Sequence, residues 1–187
     1  MDTKILFIIG PGGVGKTTSG KLLAKIIGYN FIDLDEEFCK KIENISQYLK
    51  KHSYREYAQT NSTLFFKILH CLKQHSVFVL SSGFLVHEGM NDLISEHKKV
   101  LKDNGISILL LPTKDVLLGA EVIVRRQLKR GYGLNKKREM KKYIKRFGEY
   151  SGLGDIQIFS YSSPEIIAKK IFFKLNQRKL SVYNLLF

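Results

Sequence analysis

Only two cysteines, Cys39 and Cys71, occur in 187 residues. They make neither a disulfide framework nor a metal spacing, which points to a reduced, cytoplasmic setting and to two small buried apolar groups. The five histidines (His52, His70, His75, His87 and His97) show no metal spacing either and read as surface or core positions. No apolar run approaches the roughly 18 residues that a membrane helix needs; the longest, 5–9 and 106–112, have strand length. A strand that begins almost at Met1 leaves no room for a signal peptide. Repeats and Ser/Pro-rich linkers are missing, and at roughly 150 residues per domain the length predicts one domain. Acidic side chains are scarce: 17 Asp and Glu face 31 Lys and Arg, a net charge of +14. That balance fits a nucleic-acid partner or a protein that handles anions. The lysines are scattered, and the densest cluster, 129–146, has no interleaved stacking aromatics. Charge alone therefore argues against nucleic acid.

What is present has ordinary globular composition, 44% hydrophobic and 26% charged. Strand-like runs at 4–9, 31–35, 77–80, 106–111 and 156–159 alternate with segments of helical period. The latter fall at 16–27, in two or three pieces across 36–74, at 92–102, 115–130, around 139–147, and at 164–176 behind Pro164. Strands separated by helices predict right-handed crossovers and a parallel sheet covered on both faces. The aromatics Phe65, Phe66, Phe78, Phe172 and Phe173 are expected in the core, and the apolar tail 180–187 is expected to pack on the body or on a partner.

One motif is specific. Gly10-Pro11-Gly12-Gly13-Val14-Gly15-Lys16-Thr17 fits G-x-x-x-x-G-K-[ST], between a strand and an amphipathic helix. Glycines let backbone N–H groups converge on phosphate oxygens, and the helix N-terminus adds its dipole. Lys16 is placed to reach the β- and γ-phosphates, and the Thr17 hydroxyl to ligate Mg²⁺. Gly10, Gly12, Gly13, Val14, Gly15, Lys16, Thr17 and Thr18 form the expected nucleotide cradle.

Asp33 and Asp35 are the candidates opposite it. Alternating on a strand, both side chains would face one way at its carboxyl end, where open parallel sheets bind ligands. One carboxylate can hold metal-bound water while the other accepts a proton from an attacking hydroxyl. The competing explanation is helix capping, because Asp35-Glu36-Glu37 opens a helix.

Together with Tyr54-Arg55-Glu56-Tyr57-Ala58, the turn Ser81-Ser82-Gly83-Phe84, a basic segment within 125–138 and Arg146-Phe147-Gly148-Glu149-Tyr150, these motifs give a chain that resembles the shikimate kinase family of small P-loop kinases. The resemblance implies a three-layer α/β fold with a five-stranded parallel sheet, a helical acceptor-binding insert at about 34–75 and a lid at about 126–138. It implies ATP with Mg²⁺, and a small acceptor carrying a hydroxyl and a carboxylate, shikimate first. Thr17 and Asp33 would position the metal, and Asp35 would hold the acceptor hydroxyl. Arg55, Gly83 and Arg146 would bind the acceptor, the arginines as a planar fork on its carboxylate. A lid arginine, Arg126 or Arg130, would close over the phosphates, and residues 161–163 would line the base. The expected assembly is a monomer or weak dimer, away from membranes.

The sequence also departs from the family. Of the family's three consecutive glycines at this turn, the chain keeps Gly83 and puts serine and Phe84 around it, where a ring is expected to crowd the acceptor pocket and to fit glycine-only backbone angles poorly. Ala58 stands where a glutamate would hold Arg55, and the lid lacks the family's Arg-Pro-Leu-Leu. A different acceptor (sugar acid, nucleoside or antibiotic) and a nucleotide-binding regulatory or nucleic-acid-associated protein with weakened catalysis therefore stand as alternatives.

Overall fold

The computed structural model describes residues 4–129 and 134–183, with side chains through 178. Among these the elements run β1 (Ile5–Ile9), α1 (Lys16–Ile27), β2 (Asn30–Asp33), α2 (Leu34–Lys41), α3 (Ile45–Lys51), α4 (Tyr54–Cys71) and β3 (Ser76–Val79). They continue with α5 (Asn91–Asn104), β4 (Gly105–Leu111), α6 (Val116–Leu128), α7 (Lys136–Tyr150), β5 (Ile156–Phe159) and α8 (Pro164–Tyr183). Every strand pairing is parallel, in the order β2-β3-β1-β4-β5. β1 lies at the centre with all its residues buried.

The two-residue period of β1 divides the core between the faces of the sheet. Leu6 and Ile8 pack with Leu23 and Ala24 of α1 and with Ile167, Ala168 and Ile171 of α8. Ile5, Phe7 and Ile9 pack with Phe38 of α2, Phe65 of α4 and Leu101 of α5. The sheet is thus covered on both sides, as a parallel sheet of continuous apolar strands requires. α1 sits flush on it: a Cβ at Gly20 would lie 2.8 Å from Val79 Cγ2 and 3.0 Å from Ile8 Cδ1. A capping box starts α4, in which the Ser53 hydroxyl accepts from the Glu56 N–H at 3.2 Å and the Glu56 carboxylate accepts from the Ser53 N–H at 2.8 Å.

Several expectations change. β2 stops at Asp33, and Asp35 lies in the first turn of α2, so the two carboxylates do not alternate on one strand. The capping role falls to Asp33, whose side chain accepts from the N–H groups of Asp35 and Glu36 at 2.9 and 3.2 Å. Cys39 and Cys71 are exposed, on the outer faces of their helices. Phe172 and Phe173 are exposed too, Phe173 by 62%, since α8 turns its Ile167/Ala168/Ile171/Leu175 stripe to the core. Phe84 does not crowd a pocket. Its ring is fully buried, 4.8 Å from Phe65 and stacked on the His97 imidazole at 3.8 Å. Nor does its turn demand glycine angles, since no described non-glycine residue has a positive φ and Gly83 is not among the glycines that do. α8 continues to Tyr183, and the packing of the tail falls outside the described side chains.

Phe84→Ala is expected to lower unfolding free energy by about 3–5 kcal/mol, the cost of a buried phenyl and its cavity. Phe173→Ala should stay within about 0.5 kcal/mol of the parent. Urea midpoints of the two variants check the assignment.

Candidate functional site

The loop between β1 and α1 is built from positive-φ glycines: Gly10 at 137°, Gly13 at 85° and Gly15 at 91°. At Gly10 the need is also steric, because a Cβ there would lie 2.5 Å from the Leu110 carbonyl oxygen. Val14 is buried and anchors the loop in the core. α6 backs it, with Gln127 Nε2 donating to the Gly12 carbonyl at 3.0 Å. Gly15 caps α1 without a side-chain hydrogen bond, so the first N–H groups of the helix face an incoming anion. The Lys16 ammonium folds back over the loop, donating to the carbonyls of Gly10 and Pro11 at 2.8 and 3.1 Å. Thr17 and Thr18 follow, both exposed.

From Thr17 the site crosses to β2. The Thr17 hydroxyl donates to Asp33 Oδ2 at 2.7 Å, while Asp33 Oδ1 carries the cap of α2. Capping and function therefore coincide on Asp33. A hydroxyl and a carboxylate are hard oxygen donors, fit for Mg²⁺, which usually keeps waters and takes phosphate oxygens as its other ligands. Among the described residues no group of three or more His, Cys, Asp or Glu side chains forms a metal cage, and an ion held largely by a triphosphate needs none.

Asp35 projects from α2 toward the turn after β3. It accepts a hydrogen bond from the Ser81 hydroxyl, which itself accepts from Asn61 Nδ2 at 2.9 Å. Burial raises the Asp35 pKa above the ordinary value, outweighing the Ser81 hydrogen bond and the positive charge of Lys16; the neighbouring Asp33 charge adds to the rise. A carboxylate kept reluctant to ionise, between a lysine and a hydroxyl relay, can take a proton from an alcohol.

The same turn receives α7 and α4. Arg146 Nη1 donates to the Ser82 hydroxyl at 3.1 Å, and the Tyr150 hydroxyl donates to the Ser82 carbonyl at 3.3 Å. A Cβ at Gly83 would lie 2.5 Å from the Tyr54 hydroxyl, 3.4 Å from Arg146 Nη2 and 3.5 Å from His87 Cε1, so three side chains converge there. Tyr54 is hydrogen-bonded to His87 Nδ1 at 3.0 Å. Burial pushes the His87 pKa down to about 4, helped by the positive charge of His97 when protonated and by that of Arg146.

The structure thus brings Lys16, Thr17, Asp33, Asp35, Gly83 and Arg146 to one edge of the sheet. Arg55 is exposed and donates to the Gly89 carbonyl at 3.1 Å, away from the Ser82 hydroxyl that Arg146 holds. Arg126 donates to the Tyr161 carbonyl at 2.7 Å, tying α6 to the loop before α8. Arg130 lies outside the described residues. Sequence reasoning missed Tyr54, Asn61, Ser81, His87 and Gln127. The available signal was Asn61, a polar residue on the face of α4 that also buries Tyr57, Leu64, Phe65 and Ile68.

A glycine loop heading a helix on a parallel sheet, with carboxylates facing its lysine, defines the class of P-loop nucleotide-binding proteins. The family model described as Shikimate kinase matches residues 12–175, and the chain belongs to that family. It is 33% identical over 118 residues to the shikimate kinase of Actinobacillus pleuropneumoniae serotype 5b, covering 61% of each chain. Shikimate kinase 2 of Photorhabdus laumondii is 29% identical over 115 residues, 61% of this chain and 60% of that one. The chain therefore spans about three-fifths of the length of the curated relatives it matches. Among solved structures, shikimate kinase from Acinetobacter baumannii in complex with shikimate superposes with a TM-score of 0.75 at 21% identity, over 95% of this chain and 96% of that one. A gluconokinase from Sinorhizobium meliloti gives 0.65 at 13% identity, over 97% of each chain.

The raised Asp35 pKa carries a stability consequence. A carboxyl whose folded pKa exceeds its unfolded one binds its proton more tightly when folded, so its contribution is present below the unfolded pKa and is lost as pH rises through the folded pKa. Ionisation of Asp35 therefore costs the fold stability. Asp35→Asn, which can still accept from Ser81, is expected to melt no lower than the parent at pH 7 and to lose that advantage toward pH 4. A Tm series across this range tests it.

Proposed function

We propose that this chain transfers the γ-phosphoryl group of ATP to a hydroxyl of shikimate. The observation that carries the reading is the position of Asp35, between Lys16 of the phosphate loop and the Ser81-Ser82-Gly83 turn to which Arg146 is bonded. Thr17 and Asp33 would hold Mg²⁺, which supplies charge neutralisation on the phosphates. Loop N–H groups and Lys16 bind the triphosphate, and Lys16 stabilises charge developing on the transferred group. Arg146 binds the acceptor carboxylate and so orients its hydroxyl toward Asp35, which accepts the proton as the oxygen attacks phosphorus. Arg55 sits at the rim and would have to turn from the Gly89 carbonyl to join Arg146. Arg126, bonded at Tyr161, would serve the nucleotide side. Catalysis here is alignment and electrostatics, with no covalent intermediate on the protein.

A second reading, transfer to another carboxylated polyol such as gluconate, is favoured by Arg55, which is exposed and bonded to the Gly89 carbonyl, and by the buried Ala58, which offers it no carboxylate. ADP release with Mg²⁺, ATP and either acid separates the two, and turnover with gluconate alone would overturn the shikimate assignment. Lys16→Ala is expected to lower kcat roughly 10²–10³-fold in a folded protein. The acid limb of kcat/KM should lie above that of an unperturbed aspartate, and Asp35→Asn should lower turnover far more than ATP affinity.

A further inference from the structure

The Tyr54 hydroxyl is the atom that would collide with any side chain at Gly83, and His87 Nδ1 holds it at 3.0 Å. His87 is buried, and its Nε2 has no hydrogen-bond partner among the described residues. A buried N–H without an acceptor is the costlier orphan, which favours the tautomer with hydrogen on Nδ1 and a bare lone pair on Nε2. In that tautomer Nδ1–H donates to the phenol oxygen, and the Tyr54 O–H is left to donate elsewhere. That O–H lies beside the Arg146 guanidinium, over Gly83. The imidazole is itself fixed in place: His87 lies against His97, whose Nδ1 donates to the Phe84 carbonyl at 2.9 Å and whose Nε2 accepts from the Ser62 hydroxyl at 2.7 Å. The segment carrying Gly83 and His87 is therefore clamped from α5 and α4, and the hydroxyl it orients is rigidly placed.

We propose that Tyr54, oriented by His87, is a second reader of the acceptor's carboxylate beside Arg146. A phenol donor paired with a guanidinium gives an anionic acceptor two differently directed hydrogen bonds at one end. The assignment rests on the carboxylated acceptor proposed above, but not on that acid being shikimate. His87 acts through Tyr54 and is a positioning residue.

Calorimetric titration of the whole protein with Mg²⁺ and ADP, using shikimate, gluconate and the methyl ester of whichever acid binds, tests it. Tyr54→Phe should weaken binding of the acid by roughly 5- to 30-fold, the loss of one hydrogen bond to a charged group. Binding of the neutral ester should change far less, and ADP affinity should stay within about twofold of the parent. In turnover the loss should fall on the KM of the acid, with kcat little altered, because the contact exists before and during transfer. His87→Leu should reproduce the KM effect, and His87→Asn, whose amide can occupy the place of Nδ1, should restore most of it. If Tyr54→Phe weakens acid and ester equally, or leaves acid binding unchanged, the inference falls while the proposed function stands. If gluconate binds in place of shikimate and loses affinity in Tyr54→Phe, the inference stands and the shikimate assignment falls. If neither acid binds the parent, both fall.

Discussion

The Asp33 carboxylate holds three elements in register. One oxygen accepts the first N–H groups of α2, the other accepts the Thr17 hydroxyl at the head of α1, and the residue itself ends β2. Without that carboxylate, α2 would lose its cap and the two halves of the site their direct hydrogen bond. The cap also decides where Asp35 points: placed in the first helical turn, its side chain reaches Ser81 on the neighbouring strand's turn. A single acidic side chain thus converts the β2 edge into a bridge between phosphate loop and acceptor turn, and its cost as a buried charge is offset by donors on both oxygens.

The nucleotide half was legible in the sequence because it is made of backbone. Glycines at 10, 13 and 15 are demanded by positive φ, and the α1 limits of 16 and 27 follow from the motif at one end and Gly28 at the other. The acceptor half is made of side chains contributed from far along the chain: Arg146 meets Ser82, Tyr54 meets His87, and Asn61 meets Ser81. No local period encodes such pairs. The existence of a parallel sheet was likewise readable, whereas its order β2-β3-β1-β4-β5 depends on pairing between distant strands. Phe84 shows the difference sharply. As a residue beside a glycine turn it suggests an obstructed pocket, yet one residue of chain direction turns its ring into the core against His97.

The departures from the family acquire a physical sense when taken together. The Ser81 hydroxyl links Asn61 to Asp35 and so lowers the Asp35 pKa from where burial alone would place it. Ser82 gives Arg146 an anchor through its hydroxyl, and its carbonyl accepts from Tyr150. Gly83 is the glycine that is kept, and it is the one whose Cβ would strike Tyr54. The turn therefore combines two fixed hydroxyls with close approach at its glycine.

The excess of positive charge bears on the same edge of the sheet. Under the proposed reaction a carboxylated acceptor and a nucleoside triphosphate would repel one another, and bringing them within reacting distance would require cations that stay charged when water is removed. Lysine is poorly suited to that position once it is buried, because desolvation favours its neutral form; Lys142, near Arg146, already has its pKa lowered by burial and by the arginine's charge. Arginine keeps its charge under the same conditions. The division seen here follows from that difference: lysines line the exposed faces of α7, while the residue bonded to the turn after β3 is Arg146, and Lys16, buried, is held by two backbone carbonyls and faces an acidic pair.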